Sequence, residues 1–223
     1  SSGASDVYKR HVEDIFFAST VLGRAFRSSG KTKHIALLTE FLESFTTLQS
    51  NNLWWHCKTA PYFWGRGNAF AALGLAEAIT YLPTNHPSRS KLIQTHLRHL
   101  EGLATYQDKS GMWRQVIDRP ETYLEHSATS MIGCSIARGI RHHWLSDVWW
   151  PTLERAWNAV SQRIGEDGSL NQVCIGTGPL PSLEEYIKPV SYTNLRAHET
   201  PEQLVIPHIH EKKKRGWGGG GGG

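Results

Sequence analysis

The chain has 223 residues, 39% of them hydrophobic and 20% charged, the balance of one sizeable globular domain or part of a larger one. Its net charge of +4 is partly a tail effect: residues 191–223 hold five Lys or Arg and three Asp or Glu, leaving 19 basic against 17 acidic residues in 1–190, which is no nucleic-acid footprint. No apolar run approaches the ~20 residues of a membrane span, and no initiator Met or signal peptide opens the sequence, so the compartment is not recorded in it. Helical periodicity predicts six segments in chain order: Asp6 to Phe26, Lys31 to Leu48, Asn68 to Leu82, Ser88 to Tyr106, Tyr123 to Ile140 and Val148 to Ile164. Pro83 stops the third and Gly165 closes the sixth. No strand alternation is visible. Helices of this spacing, joined by connections either tight or long and Trp-rich, predict an all-α toroid of αα-hairpins with the site on the long loops.

Nine tryptophans are more than a core usually needs, so some are expected to line a cleft. The three cysteines, Cys57, Cys134 and Cys174, have no CxxC spacing and read as reduced thiols, with room for one disulfide among them. The stretch "PYFWGRGNAF" (61–70) places Arg66 between two glycines and among Phe63, Trp64 and Phe70. Asn68 is a good helix cap, and a guanidinium fork at a helix entrance beside aromatic rings suits a carboxylate next to a sugar platform. A salt bridge from Arg66 to a neighbour is the other reading. The segment 191–223, "SYTNLRAHET…KKKRGWGGGGGG", lacks amphipathic pattern and reads as adapter and homopolymer read-through, a non-native or disordered tail to be set apart from the domain at 1–190.

Four blocks, "HVEDIFFAS" (11–19), "LWWHC" (53–57), "YFWGRGNAF" (62–70) and "GMWRQVIDRPETYLEHSATSM" (111–131), resemble the unsaturated uronyl hydrolases of glycoside hydrolase family 105, and "VCIGTG" (173–178) with "EEYIKPV" (184–190) extends the match over nearly all of 6–190. The resemblance implies an (α/α)6 barrel, incomplete here at both ends. It also implies an enzyme acting on oligosaccharides left by polysaccharide lyases, whose non-reducing uronic acid carries a C4=C5 double bond. A carboxylic acid protonates C4, water adds at C5, and the hemiketal opens to release the next sugar. No metal or organic cofactor is implied. The partner is the oligosaccharide, with neither nucleic acid nor membrane, and the default substrate is a rhamnogalacturonan-derived disaccharide.

Residue by residue, the resemblance assigns the acid/base role to Asp14, in a block that reads V-D-x-x-F in relatives and V-E-D-I-F here. Glu13 is adjacent and points about 100° away on the same helix. A second aspartate is expected upstream of this sequence. His56 matches the family's site histidine, Trp64 and Arg66 the positions that stack on the sugar and pair with its carboxylate, and Phe70 stands where relatives usually carry tryptophan. Trp113 and Gln115 match the loop closing over the site; Glu125 and Ser127 match the helix start after it, where a cap and a first-turn carboxylate are equally good readings. A different (α/α)6 sugar enzyme such as an epimerase, or a non-catalytic carbohydrate-binding toroid, are the alternatives.

Overall fold

A computed structural model describes residues 11–45, 48, 49, 51–188 and the backbone of 191 and 192. The segment set apart at 191–223 otherwise lies outside the described residues. Six long helices form three consecutive hairpins: α1 (Asp14–Ser29) with α2 (Thr32–Glu43), α3 (Gly65–Tyr81) with α4 (Arg89–Thr105), and α5 (His126–Arg141) with α6 (Trp150–Ser161). Each hairpin turn has a local cause. Gly30 takes a left-handed φ of 66° and its N–H returns to the Phe26 carbonyl at 2.7 Å, ending α1 as glycine ends helices. Pro83 pushes Leu82 out of the helical region to ψ 132°. Arg89 Nη1 then donates to the freed carbonyls of Ile79 and Leu82 at 2.5 and 2.8 Å. Pro151 sits at the start of α6, where its missing N–H costs nothing.

Helices α1, α3 and α5 lie side by side with α3 in the middle, and α2, α4 and α6 each pack behind the first helix of their hairpin. The approach of α1 to α3 is close because Gly74 lacks a side chain: a Cβ there would sit 2.6 Å from the Phe16 backbone nitrogen. One core cluster, including Ile15, Leu38, Leu75 and Ile79, fills the space among α1, α2 and α3; a second, including Ala72, Leu103, Trp113 and Ile132, fills that among α3, α4 and α5.

The sequence-predicted helices are recovered with shifted boundaries: α2 ends at Glu43 rather than Leu48, and α3 begins at Gly65 rather than Asn68. Residues 11–13 form a turn rather than helix, so α1 starts at Asp14, and residues 6–10 of that segment lie outside the described residues. Tyr123 and Leu124 are not helical either: β2 (Leu124–Glu125) pairs antiparallel with β1 (Trp113–Arg114), and β3 (Val173–Cys174) pairs with β4 (Ser191–Tyr192). These ladders correct the expectation of no strands. At two residues each they are too short to print an alternating pattern.

The core carries two buried histidines on α4. His96 donates from Nε2 to Ser135 Oγ at 2.8 Å, Ser135 Oγ donates to the Ala72 carbonyl at 2.8 Å, and Trp144 Nε1 donates to His96 Nδ1 at 3.2 Å. Burial lowers His96 to a pKa of about 3 and holds His99 well below the ordinary histidine range. Both are therefore neutral in the fold, while in the unfolded chain they take up protons near pH 6.5. Between pH 6.5 and 3 the unfolded state binds more protons, so stability should be level above pH 7 and fall as pH drops below 6.5. The slope reaches about 1.4 kcal/mol per pH unit for each histidine. Denaturant titrations from pH 7.5 to 4.5 check this, and His96→Gln should flatten the slope.

Candidate active site

The N-terminal ends of α1, α3 and α5 are drawn to one rim by the long connections. Val12 N–H donates to the His56 carbonyl, and His56 N–H to the Tyr62 carbonyl, both at 2.9 Å. Gly65 N–H reaches the Gln115 carbonyl at 2.7 Å, and His126 N–H the Gln172 carbonyl at 2.8 Å. The two glycines of the WGRGN stretch serve close approach and not unusual angles. Both lie in α3, outside the left-handed region; a Cβ on Gly65 would sit 2.2 Å from the Arg114 carbonyl, and one on Gly67 would sit 2.6 Å from Val12 Cγ1. Three helix N-termini on one rim carry partial positive charge toward an anion.

On this rim the carboxylate that meets His56 belongs to Glu13. Glu13 Oε1 lies 3.5 Å from His56 Nε2 and 3.9 Å from His11 Nδ1, and Glu13 Oε2 is buried with no hydrogen-bond partner among the described residues. Asp14 turns the other way, its Oδ2 accepting the His11 backbone N–H at 3.0 Å. Asp14, the expected acid/base residue, is thus engaged at the start of its own helix, and the carboxylate facing His56 is that of Glu13. His56 is fully buried, stacked on Trp64 with ring centroids 4.5 Å apart. Its Nδ1 is 2.5 Å from the Tyr186 hydroxyl, which also accepts the Leu180 N–H at 3.2 Å. Burial pushes the Tyr186 hydroxyl up to about 12, so it keeps its proton and donates to Nδ1, and the other ring nitrogen, Nε2, faces Glu13.

Arg66 makes the salt bridge to a neighbour that is one of its two readings, with Glu125. Nε donates to Ser127 Oγ at 2.8 Å, Nη2 donates to the Cys174 carbonyl, and Nη2 lies 3.7 Å from Glu125 Oε1. The Nε edge of the fork is therefore held by protein, and the outer edge at Nη1 has no partner among the described residues. Glu125 is fully buried and caps α5, accepting Ser127 N–H at 3.1 Å and Ala128 N–H at 2.5 Å; it also takes Cys174 N–H at 2.9 Å. The cap of α5 is therefore Glu125 rather than Ser127, whose N–H and hydroxyl both donate to the Glu125 carboxylate.

The remaining expected residues divide. Phe70 is half-buried in a cluster with Phe16 and Phe17, with centroids at 5.3 and 5.7 Å. Gln115 is 4% exposed, lines a cleft, and its Oε1 has no partner among the described residues. Trp64 and Trp113 are 3% and 0% exposed. Trp64 backs His56, and Trp113 is a core residue whose Nε1 donates to the Leu103 carbonyl at 2.7 Å; neither offers a free face to a sugar. Asn68 does not cap α3 either. It sits inside the first turn, accepting Trp54 N–H at 3.0 Å and donating to the carbonyls of Trp54 and Trp64 at 2.9 and 3.0 Å, so it clamps the 54–56 segment against the helix. Among the described residues all three cysteines are free thiols.

Residues 12–207 match the family model described as Glycosyl Hydrolase Family 88, a match that runs past residue 191. An unsaturated rhamnogalacturonyl hydrolase of Bacillus subtilis is 31% identical over 135 residues, 60% of this chain and 37% of that protein. An unsaturated 3S-rhamnoglycuronyl hydrolase of an Alteromonas species is 32% identical over 128 residues, 56% of this chain and 31% of that protein. The chain thus spans about a third of the length of these curated relatives. Among solved structures, a possible family 105 member from Salmonella enterica superposes with a TM-score of 0.77 at 24% identity, covering 82% of this chain and 52% of that one. A family 105 glycoside hydrolase from C. acetobutylicum gives 0.72 at 25% identity, covering 80% and 59%. The three hairpins are therefore an incomplete (α/α)6 toroid, and these structures agree with the family 105 resemblance. With a single family model matched along most of its length, the chain belongs to Glycosyl Hydrolase Family 88.

Proposed function

We propose that the protein hydrates the C4=C5 bond of an unsaturated uronic acid at the non-reducing end of an oligosaccharide, with Glu13 as the acid/base residue. The observation that carries this reading is the buried, unpartnered Glu13 Oε2 beside His56 at the convergence of three helix N-termini. A carboxyl oxygen with no protein partner is free to hold a proton for the substrate and to take one back. In the first step Glu13 gives its proton to C4, and positive charge develops at C5 and the ring oxygen. Water then adds its oxygen to C5 and yields a proton to the Glu13 carboxylate, with His56 Nε2 orienting that carboxylate. The hemiketal opens to a C5 ketone, the ring oxygen becomes a hydroxyl on C1, and C1 collapses to an aldehyde as the next sugar departs as an alcohol.

The outer edge of Arg66 and the helix ends hold the uronate. One turn below Glu13 and Arg66 on their own helices lie Phe17 and Phe70, with centroids 5.7 Å apart, giving a ring an apolar face to rest on. The names of the curated relatives favour a rhamnose-linked uronide as the substrate. The test is spectroscopic. An unsaturated uronyl disaccharide should lose the ultraviolet band of its enol ether on incubation, and the saturated disaccharide should remain intact; cleavage of both alike would overturn the reading.

A further inference from the structure

In the first two hairpins the outer helix also packs on the inner helix that follows. Leu38 of α2 shares a core with Leu75 and Ile79 of α3, and Leu103 of α4 shares one with Ile132 and Ile136 of α5. Helix α6 has the same build, with Ala156, Ala159 and Val160 buried, but no further long helix follows it among the described residues. The flank such a helix would cover carries Trp150, Glu154 and Trp157 at steps of four and three, with Ile164 just past the helix end. The two tryptophans are 50% and 68% exposed. Arg155, about 160° around the helix from Trp157, points the other way and donates to Gln107 beyond α4.

The opposite end of the arc is an inner helix with no helix before it among the described residues. Gly23 of α1 faces Tyr81 of α3, and Val21, about 160° away, is 65% exposed in line with the exposed Arg24 and Ser28. A stripe with two tryptophans is interface composition. The two flanks also differ in charge. Glu154 and Arg24 make no ion pair among the described residues. Near Glu154 stand Asp147 and Glu166, and near Arg24 stand Arg27, Lys31 and Lys33, all exposed.

We propose that a second copy of this chain covers both flanks: α6 of each copy receives α1 of the other, with Trp150 and Trp157 closing on Val21 and Glu154 facing Arg24. Three hairpins are half of a six-hairpin ring, so a two-fold axis through the centre of the ring makes two identical junctions and leaves no open flank. The inner helices all start from one rim, so this axis keeps both Glu13–His56 pairs on the same face.

Sedimentation of the 25.1 kDa chain should show a dimer, about twice that mass, which does not grow with concentration. Glu154→Arg and Arg24→Glu should each weaken it about tenfold or more, because like charges then meet at both junctions. The double variant, carrying both substitutions, should restore the dimer. Trp157→Glu should give single chains with an unchanged circular dichroism spectrum, since the side chain lies on the surface. A monomer at every concentration would mean that the flanks are covered from within the chain. Trimers and larger species would mean an open contact in place of a ring, and a double variant no tighter than the single ones would mean that the two stripes do not meet. Each of these results would overturn the proposal.

Discussion

Glu13→Gln should lower turnover of an unsaturated uronyl disaccharide by about 10²–10⁴-fold, the usual worth of a positioned general acid, while Asp14→Asn should cost less than about tenfold. The glutamine keeps the shape of the side chain and its place beside His56 but cannot deliver a proton to carbon. Its loss should therefore fall on kcat, with KM little changed. Asn at position 14 still offers an oxygen to the His11 backbone N–H, which is the contact that Asp14 makes, so its effect should be on the start of α1 alone. Steady-state kinetics of the two variants, with circular dichroism showing both folded, checks the assignment. The reverse ranking would return the acid/base role to Asp14.

Glu125→Ala should be the most destabilising single change at the rim. The side chain is fully buried, and its carboxylate satisfies the N–H groups of Ser127, Ala128 and Cys174 while facing Arg66 at 3.7 Å. Alanine leaves those donors unpaired and the guanidinium without its counter-charge. Breaking a buried pair from one side costs roughly 3–5 kcal/mol, and at about 2–4 °C per kcal/mol for a chain of this size the melting temperature should fall by roughly 10 °C. Glu125→Gln keeps an acceptor for the helix cap and should lose less. Differential scanning calorimetry on the two variants measures both. A shift of a degree or two for Glu125→Ala would mean that the Arg66 bracket is not what joins α3, α5 and the 173–174 strand.

The helices could be read from sequence because apolar side chains recur every three or four residues in α2 to α6 and because Pro83 and the Ser28-Ser29-Gly30 turn punctuate them. Where a tertiary contact sets the boundary, periodicity misplaces it: α5 starts at His126 since Leu124 and Glu125 are taken up by β1. The rim was legible in outline. "WGRGN" brings Arg66 to the rim, but the reason for its glycines is the Arg114 backbone and the Val12 side chain, which no local pattern records. Trp113 and Trp64 illustrate a second limit, since an aromatic in a Trp-rich loop has the same letter whether it lines a cleft or fills the core. Tyr186 lies 130 residues from His56, and only the fold brings them together. Glu13 had a signal in the sequence: in V-D-x-x-F the acidic residue stands three before the phenylalanine, and three before Phe16 is residue 13, not 14.

The central claim, protonation at C4 by a carboxyl group of the protein with water entering at C5, is tested most directly by where solvent atoms arrive. Turnover of an unsaturated uronyl disaccharide in D2O, with the products followed by NMR, should place one deuterium at C4 of the released uronyl product as the enol-ether band disappears. The Glu13→Gln protein should leave both signals unmoved. A product that retains its C4=C5 bond while the sugars separate would show attack at the anomeric carbon and contradict the account.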